Sequence, residues 1–415
     1  MIQTKLATTV ASSRVALNVA SRRNCLRFMS GGGSSELRKT GLYDFHVARG
    51  AKMVPFAGYS MPLSYGDVGQ VASHNNVRNN VGLFDVGHMV QHIIRGGSSL
   101  KFLEWLTPSS LGSLSAYQST LSVLLNEQGG IIDDTVICRH PEATWYVVTN
   151  AGRRDEDLAW LQARLKEWNE SERSMDGKVE HEVLNDWGLI ALQGPKAAAH
   201  LQRFTDFDLS TITFGKAAYL SIQGVRVHVA RGGYTGEDGF EISIPPADTV
   251  EITSLIVGTD GAVQLAGLGA RDSLRLEAGM CLYGHDLDEQ TSPVEAGLSW
   301  LIGKDRRASA DFIGAQTVLK HLQKGACPRK RIGLIVSGAP AREGAKIIHP
   351  DSEEELGTVT SGIPSPTLGK NIAMGYVKNG DWTKSGSKLL VEVRKKVREA
   401  VVTKMPFVPT NYFRG

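Results

Sequence analysis

Asn126-Glu127-Gln128-Gly129-Gly130-Ile131-Ile132-Asp133-Asp134-Thr135-Val136-Ile137 is the stretch from which the fold is read. A Gly-Gly pair feeds an apolar run of strand composition, and two adjacent carboxylates interrupt that run. Consecutive strand side chains point to opposite faces, so Asp133 and Asp134 are expected to diverge. A covered face then places one of them inside the protein. Downstream, Thr144 to Val148 reads as a second strand, antiparallel to Ile131–Ile137 across a polar turn. Thr149-Asn150-Ala151-Gly152 ends it, and Asp155 to Trp168 sets Leu158, Leu161, Leu165 and Trp168 on one helical face. Asn150 therefore stands at a strand-to-helix junction beside the aspartate strand.

Upstream, Phe56 to Leu63 is a bent loop carrying large side chains, and Val81 to Gly96 reads as one strand. His88 and His92 in that run have helical metal-ligand spacing, but a strand separates them by ~13 Å, too far for a shared ion. Further on, Leu189–Gln193 reads as a strand and Gly194-Pro195 as the start of a helix. Ala217–Ile222 and Val225–Arg231 form a hairpin through Gln223-Gly224. Phe240–Ile244 is another strand, and Ala247–Val257 and Gly269–Gly279 are helices. This mixture predicts layered α+β units for residues 36–302. Residues 303–331 shift to basic composition and mark a boundary. From 332 to 415, short strand-like runs separated by glycine and proline predict a small β-barrel or sandwich, with Lys388–Lys395 as one of its strands.

The 415 residues are 41% hydrophobic and 21% charged, ordinary for a globular protein of two or three domains. No apolar run reaches the ~18 residues that span a bilayer, so membrane insertion is not expected. Residues 1–30 carry Lys5, Arg14, Arg22, Arg23 and Arg27 without one acid, the composition of a mitochondrial transit peptide. Setting those five cations aside turns the formal +3 into −2, which removes any broad nucleic-acid-binding charge. Cys25, Cys138, Cys281 and Cys327 form no C-x-x-C pair, so neither a zinc site nor a disulfide framework is expected.

The chain has no phosphate-cradling lysine loop and no nucleophilic serine elbow, and Gly267-Leu268-Gly269 lacks the third glycine of a dinucleotide fingerprint. Three polar clusters remain: Asp133-Asp134; Arg231-Gly232-Gly233-Tyr234-Thr235-Gly236-Glu237-Asp238-Gly239-Phe240-Glu241; and Arg271-Asp272-Ser273-Leu274-Arg275-Leu276-Glu277. Glycines let backbone approach a ligand or turn tightly. Arg271 and Arg275 share a helix face. Taken singly, each cluster is equally well a turn or a surface ion pair.

Their wording is more specific than their chemistry. Leu42-Tyr43-Asp44-Phe45-His46, Gly129 to Asp134, Gly233 to Gly239, Ala270 to Gly279, Thr360 to Pro366 and Lys404 to Tyr412 closely resemble the glycine cleavage aminomethyltransferases, the T-protein family. The resemblance runs from about Leu42 to the C-terminus, and its ending is similar to the eukaryotic mitochondrial form. It implies a three-lobed cloverleaf with a C-terminal β-barrel and tetrahydrofolate in a central channel, with no metal. It further implies the lipoylated H protein and the other glycine cleavage subunits as partners, and transfer of an aminomethyl carbon to tetrahydrofolate with release of ammonia.

By that resemblance Asp134 is the catalytic carboxylate and Asp133 is structural. Glu241 matches the acceptor for the pterin amino edge, Arg271 and Tyr412 match other folate contacts, and Asn150, Tyr234 and Met61 match pocket wall. Gly87 stands where relatives often carry serine, and Tyr59 where tryptophan is common. A folate-binding iron–sulfur assembly factor is the alternative, but Ala278 to His285 differs from the cysteine motif of those relatives. The folate domain of an amine-oxidising flavoenzyme would need a preceding flavin domain.

Overall fold

The computed structural model describes residues 36–415, so the leader expected at 1–30 lies outside the described residues. The chain runs α1 (Tyr43–Ala48), β1 (Ala51–Phe56), β2 (Tyr59–Tyr65), α2 (Gln70–Asn79), β3 (Gly82–Asp85), β4 (Val90–Arg95) and α3 (Ser99–Leu106). It continues through β5 (Ser119–Leu125), β6 (Ile131–His140), β7 (Thr144–Thr149), α4 (Arg154–Glu170), β8 (Glu180–Val183), β9 (Gly188–Gln193) and α5 (Ala197–Leu201). Then follow β10 (Ala217–Ile222), β11 (Val225–Arg231), β12 (Gly239–Ile244), α6 (Thr249–Val257), β13 (Gln264–Leu265) and α7 (Leu268–Glu277). Two helices, α8 (Lys304–Ser309) and α9 (Ala315–Leu322), precede the last six strands.

Beside the two-stranded ribbon of β1 and β2, three larger sheets among the described residues make three lobes. A six-stranded sheet has the order β10-β11-β12-β9-β3-β13, and a five-stranded sheet the order β5-β6-β7-β4-β8. β9 is buried at every position because both its faces are covered. Ile190 and Leu192 point to one apolar cluster, Leu189 and Ala191 to the other. The five-stranded sheet is covered by α3 and α4, whose Phe102, Leu106, Leu161 and Trp168 pack with Ile137, Trp145 and Val147. The expected hairpin forms between β10 and β11, with Gln223 and Gly224 at φ 48° and 85°. Two left-handed residues in succession match the right-handed twist of the strands they join.

The third lobe comprises β14 (Arg329–Val336), β15 (Lys346–Ile348), β16 (Glu355–Ser365), β17 (Lys370–Lys378), β18 (Lys388–Val393) and β19 (Lys396–Thr403). These six close into a barrel in the order β14-β17-β16-β15-β18-β19. Closure leaves no free strand edge. Its first strand starts at Arg329, and α9 in the segment before it packs Ala315 and Val318 against Val123, Leu125 and Ile131.

Three expectations change. Val81 to Gly96 is two strands in different sheets, broken at the turn where Gly87 N–H donates to Asp85 Oδ1 at 2.8 Å. The helix after Gly194-Pro195 begins at Ala197. The run Lys388–Lys395 ends at Val393, because Arg394 and Lys395 adopt φ 52° and 62° and turn the chain into β19.

Candidate active site

The Gly-Gly pair that opens β6 is held tightly. Gly129 has φ +80°, and a Cβ on Gly130 would lie 1.8 Å from the Glu289 carbonyl oxygen. Asn126 Oδ1 accepts the N–H groups of Gln128 and Gly130, so the turn is pinned from within. Ile131 N–H then donates to the carbonyls of Asp288 and Thr291. Only glycine permits this approach.

The strand that follows is bulged. Leu124 pairs with Asp133 but Leu125 with Ile131, leaving Ile132 as the extra residue. A bulge re-aims side chains, and here Ile131, Ile132 and Asp133 are all buried. The ladder between β6 and β7 starts only at Val136↔Val148, so the strands part before Asp133 and Asp134. Asn150 fills the fork. Its backbone N–H donates to Asp133 Oδ2 at 2.7 Å, and its Nδ2 donates to Asp133 Oδ1 at 2.8 Å and Asp134 Oδ1 at 2.9 Å. Strict alternation therefore fails for this pair, because both carboxylates converge on one amide.

Asp134 retains some surface exposure, while Asp133 is sealed. Burial pushes the Asp134 carboxyl up to about 7, and the neighbouring Asp133 charge adds to the rise; Asn150 and Arg271 oppose it. A carboxyl balanced near neutrality is suited to taking and returning a proton.

Three more residues belong with Asp134, because the Arg271 charge acts on Asp134, Tyr234 and Glu241 alike. Glu241, on β12 opposite Ala191 and Ala230, has its proton affinity raised by burial and reduced by Arg271. Arg271, in the first turn of α7, lies with its guanidinium 4.6 Å from the Tyr234 ring centre. The Tyr234 hydroxyl donates to the Cys281 carbonyl, and burial lifts its pKa above the usual range. Tyr234, Glu241 and Arg271 are each partly exposed yet desolvated, as side chains at the bottom of a recess are. Arg275 is committed to Asp272 and Asp286, whereas the acids that bear on the Arg271 charge, Glu241 and Asp134, act at longer range.

Met61 on β2 is 1% exposed and packs with Tyr59, Ala151 and Leu268, supporting the wall from behind. Tyr412 has other company: its ring stacks on Phe214 at 4.0 Å, and Arg414, Arg78 and Glu237 perturb its hydroxyl, which burial lifts to about 12. The C-terminal segment docks on the glycine-rich loop, where Asn411 N–H donates to the Gly236 carbonyl and Asn411 Nδ2 to Glu237.

Sequence reasoning passed over the residues that hold these parts together. Arg78 on α2 bonds Glu237 at 2.8 Å and Glu277 at 2.8 Å, and Glu277 also accepts from Ser365 and Thr367 of the barrel lobe. Glu277 lay within a motif already singled out; Arg78 carried no local signal. His88 does not share a strand with His92 as expected but sits in the turn after β3, with its ring edge-on to Phe56 and Tyr59. Among the described residues, the group with metal-ligand geometry is Cys138, His140 and His228. The His140 and His228 Nε2 atoms lie 3.2 Å apart, so the two imidazoles satisfy one another without an ion.

Comparison with known proteins decides the family. The protein-family model described as the GCVT N-terminal domain matches residues 42–306, and the glycine cleavage T-protein C-terminal barrel domain matches residues 329–409. The chain belongs to the glycine cleavage T-protein family. It is 48% identical to the mitochondrial aminomethyltransferase of Mesembryanthemum crystallinum over 92% of each chain. The Dictyostelium discoideum counterpart is 46% identical over 91% of this chain and 94% of its own. The crystal structure of the glycine cleavage system aminomethyltransferase T from Bartonella henselae superposes with a TM-score of 0.83. That match has 36% identity and covers 91% of this chain and all of the other. This T-protein family member is thus a mitochondrial aminomethyltransferase, and no helix among its described residues is long and apolar enough to cross a membrane.

Proposed function

We propose that this aminomethyltransferase takes the aminomethyl group from the lipoyl arm of an H protein and delivers its carbon to tetrahydrofolate. In this reading the carbon exchanges its bonds to sulfur and amine nitrogen for bonds to two folate nitrogens. The two folate N–H protons end on the lipoyl sulfur and on ammonia, so 5,10-methylenetetrahydrofolate, ammonia and dihydrolipoyl H protein result. The observation that carries the proposal is the grouping of Asp134, Glu241 and Tyr234 about the Arg271 charge, contributed by two sheets, a helix and the glycine-rich loop and all desolvated.

Asp134 serves as the working carboxylate, oriented by Asn150 at 2.9 Å. It accepts a folate N–H proton and stabilises positive charge developing on the carbon in transit. Glu241 receives the guanidine-like edge of the pterin, a pairing that a carboxylate makes bidentately. Arg271 and Tyr234 form a charged and aromatic wall backed by the buried Met61, with Tyr412 as a further folate-binding position. Desolvation strengthens each of these interactions relative to water. We assign folate binding to residues 36–302, a boundary to 303–328, the barrel lobe to 329–415, which moves the barrel start from the expected 332 to the first residue of β14, and mitochondrial targeting to residues 1–30.

The test is ammonia release from aminomethyl-loaded lipoyl H protein with and without tetrahydrofolate. Release that depends on folate is expected; release indifferent to folate would count against the reading.

A further inference from the structure

A second carboxyl pair lies behind Asp134. Asp157, on α4, shares the buried helix face of Leu161 and Trp168, and Asp157 and Asp133 are both 0% exposed. Among the described residues, neither Asp157 oxygen has a hydrogen-bond donor. Its near neighbour is the Asp133 carboxyl. Of the other groups facing the pair, the Arg153 charge and the Thr149 hydroxyl bear on Asp157, and each has a further partner. Arg153 bonds Glu289 and lies 5.3 Å from the Tyr283 ring centre, Glu156 is exposed, and the Thr149 hydroxyl is 3.1 Å from His92 Nε2. From α7, the charge of Arg271 bears on Asp134.

Two ionised carboxylates sealed together repel strongly, so such a pair keeps one proton between them. Its position follows from the donors. Asp133 accepts two N–H bonds from Asn150, which favours its ionised form. Asp157 accepts no N–H bond and has only the Thr149 hydroxyl near it, which it shares with His92, so it is the better acid to stay protonated; its O–H then finds Asp133.

We propose that Asp157 is a positioning residue for Asp134: its protonated carboxyl holds Asp133 as a carboxylate, and that carboxylate fixes the Asn150 amide and a negative charge beside Asp134. The proposal rests on the reading of Asp134 as the working carboxylate. It also accounts for the Asp133 contribution to lifting Asp134, which adds to the larger effect of burial.

The test is the acid limb of the kcat/KM pH profile for aminomethyl transfer, read in four variants. Asp157→Asn supplies an amide donor to Asp133, so its limb should stay at the wild-type position. Asp157→Leu supplies none, so Asp133 takes the proton; the limb should move down by about one pH unit and the rate fall about tenfold. Asp133→Asn should produce the same displacement, and combining it with Asp157→Leu should add nothing further. A limb unmoved in Asp157→Leu, or moved equally in Asp157→Asn, would overturn the proposal. Infrared spectroscopy gives a readout independent of turnover and of how well the leucine variant folds. A protonated-carboxyl band present at pH 8 in the wild type should disappear in Asp157→Asn, and its persistence there contradicts the shared proton. Failure of the Asp134 reading appears separately, as full turnover by Asp134→Asn with that band intact.

Discussion

Asn150 and Asp134 meet where two strands part: Asn150 Nδ2 donates to Asp134 Oδ1 at 2.9 Å from the end of a ladder that no longer pairs their backbones. The same nitrogen reaches Asp133 at 2.8 Å, so one amide sets the geometry of two carboxylates. The bridge opposes the rise in Asp134 proton affinity.

Replacing Asn150 with leucine should therefore act in two ways. It leaves buried acceptors without a donor, at a cost of about 1–3 kcal/mol in unfolding free energy. It also moves the acid limb of activity upward from about 7, because a group that favoured the Asp134 anion is gone. Denaturant melts and a pH–rate profile check the two effects separately.

Burial, aided by Asp133, raises the folded-state affinity of Asp134 for protons above that of the unfolded chain. The folded protein then binds more protons than the unfolded chain between about pH 4 and 7, so this group's contribution to stability falls as pH rises through that window. Asp134→Asn should thus melt above wild type at pH 8, with the gap narrowing towards pH 5. An activity-destroying substitution that stabilises is the expected signature of a strained site.

Glu241 should separate binding from chemistry. Glu241→Ala removes a charge-assisted acceptor worth about 1.5–3 kcal/mol, a loss of roughly ten- to a hundredfold in tetrahydrofolate affinity. Calorimetric titration with tetrahydrofolate measures it, and binding of the H protein should be unchanged.

Arg78 and Glu277 carry the lobes. Burial alone would raise the Glu277 carboxyl, but hydrogen bonds from His74, Ser365 and Thr367 outweigh it and bring it down to about 2. A depressed carboxyl contributes stability above its unfolded value, and loses it as pH falls from about 4.5 towards 2. Arg78→Met leaves Glu277 buried with one partner fewer, and should cost about 3–5 kcal/mol. Thermal melts across pH 3–7 should show that the variant lacks part of the wild-type acid sensitivity.

Much of this was legible locally. The Gln223-Gly224 turn, the helical face of Leu161 and Trp168, and the strand runs of the barrel follow from short-range rules. The recess members came from their wording, since Asp134, Glu241 and Arg271 lie far apart in sequence and no periodicity joins them. What escaped depends on tertiary structure. The Ile132 bulge is set by how β5 pairs with β6, so strand alternation mispredicted the directions of Asp133 and Asp134. The break at Gly87 was hidden because Val81 to Val86 and His88 are buried on either side of it, which makes two strands look like one. Asp157 did leave a trace: it sits four residues before Leu161, on a face otherwise apolar.

The most direct test of the central claim is methylene transfer from aminomethyl-lipoyl H protein to tetrahydrofolate by Asp134→Asn, in protein shown to be folded and to bind folate like the wild type. The account predicts a rate reduced by about a hundredfold or more. Transfer at the wild-type rate would show that Asp134 is not the carboxylate on which the reaction turns.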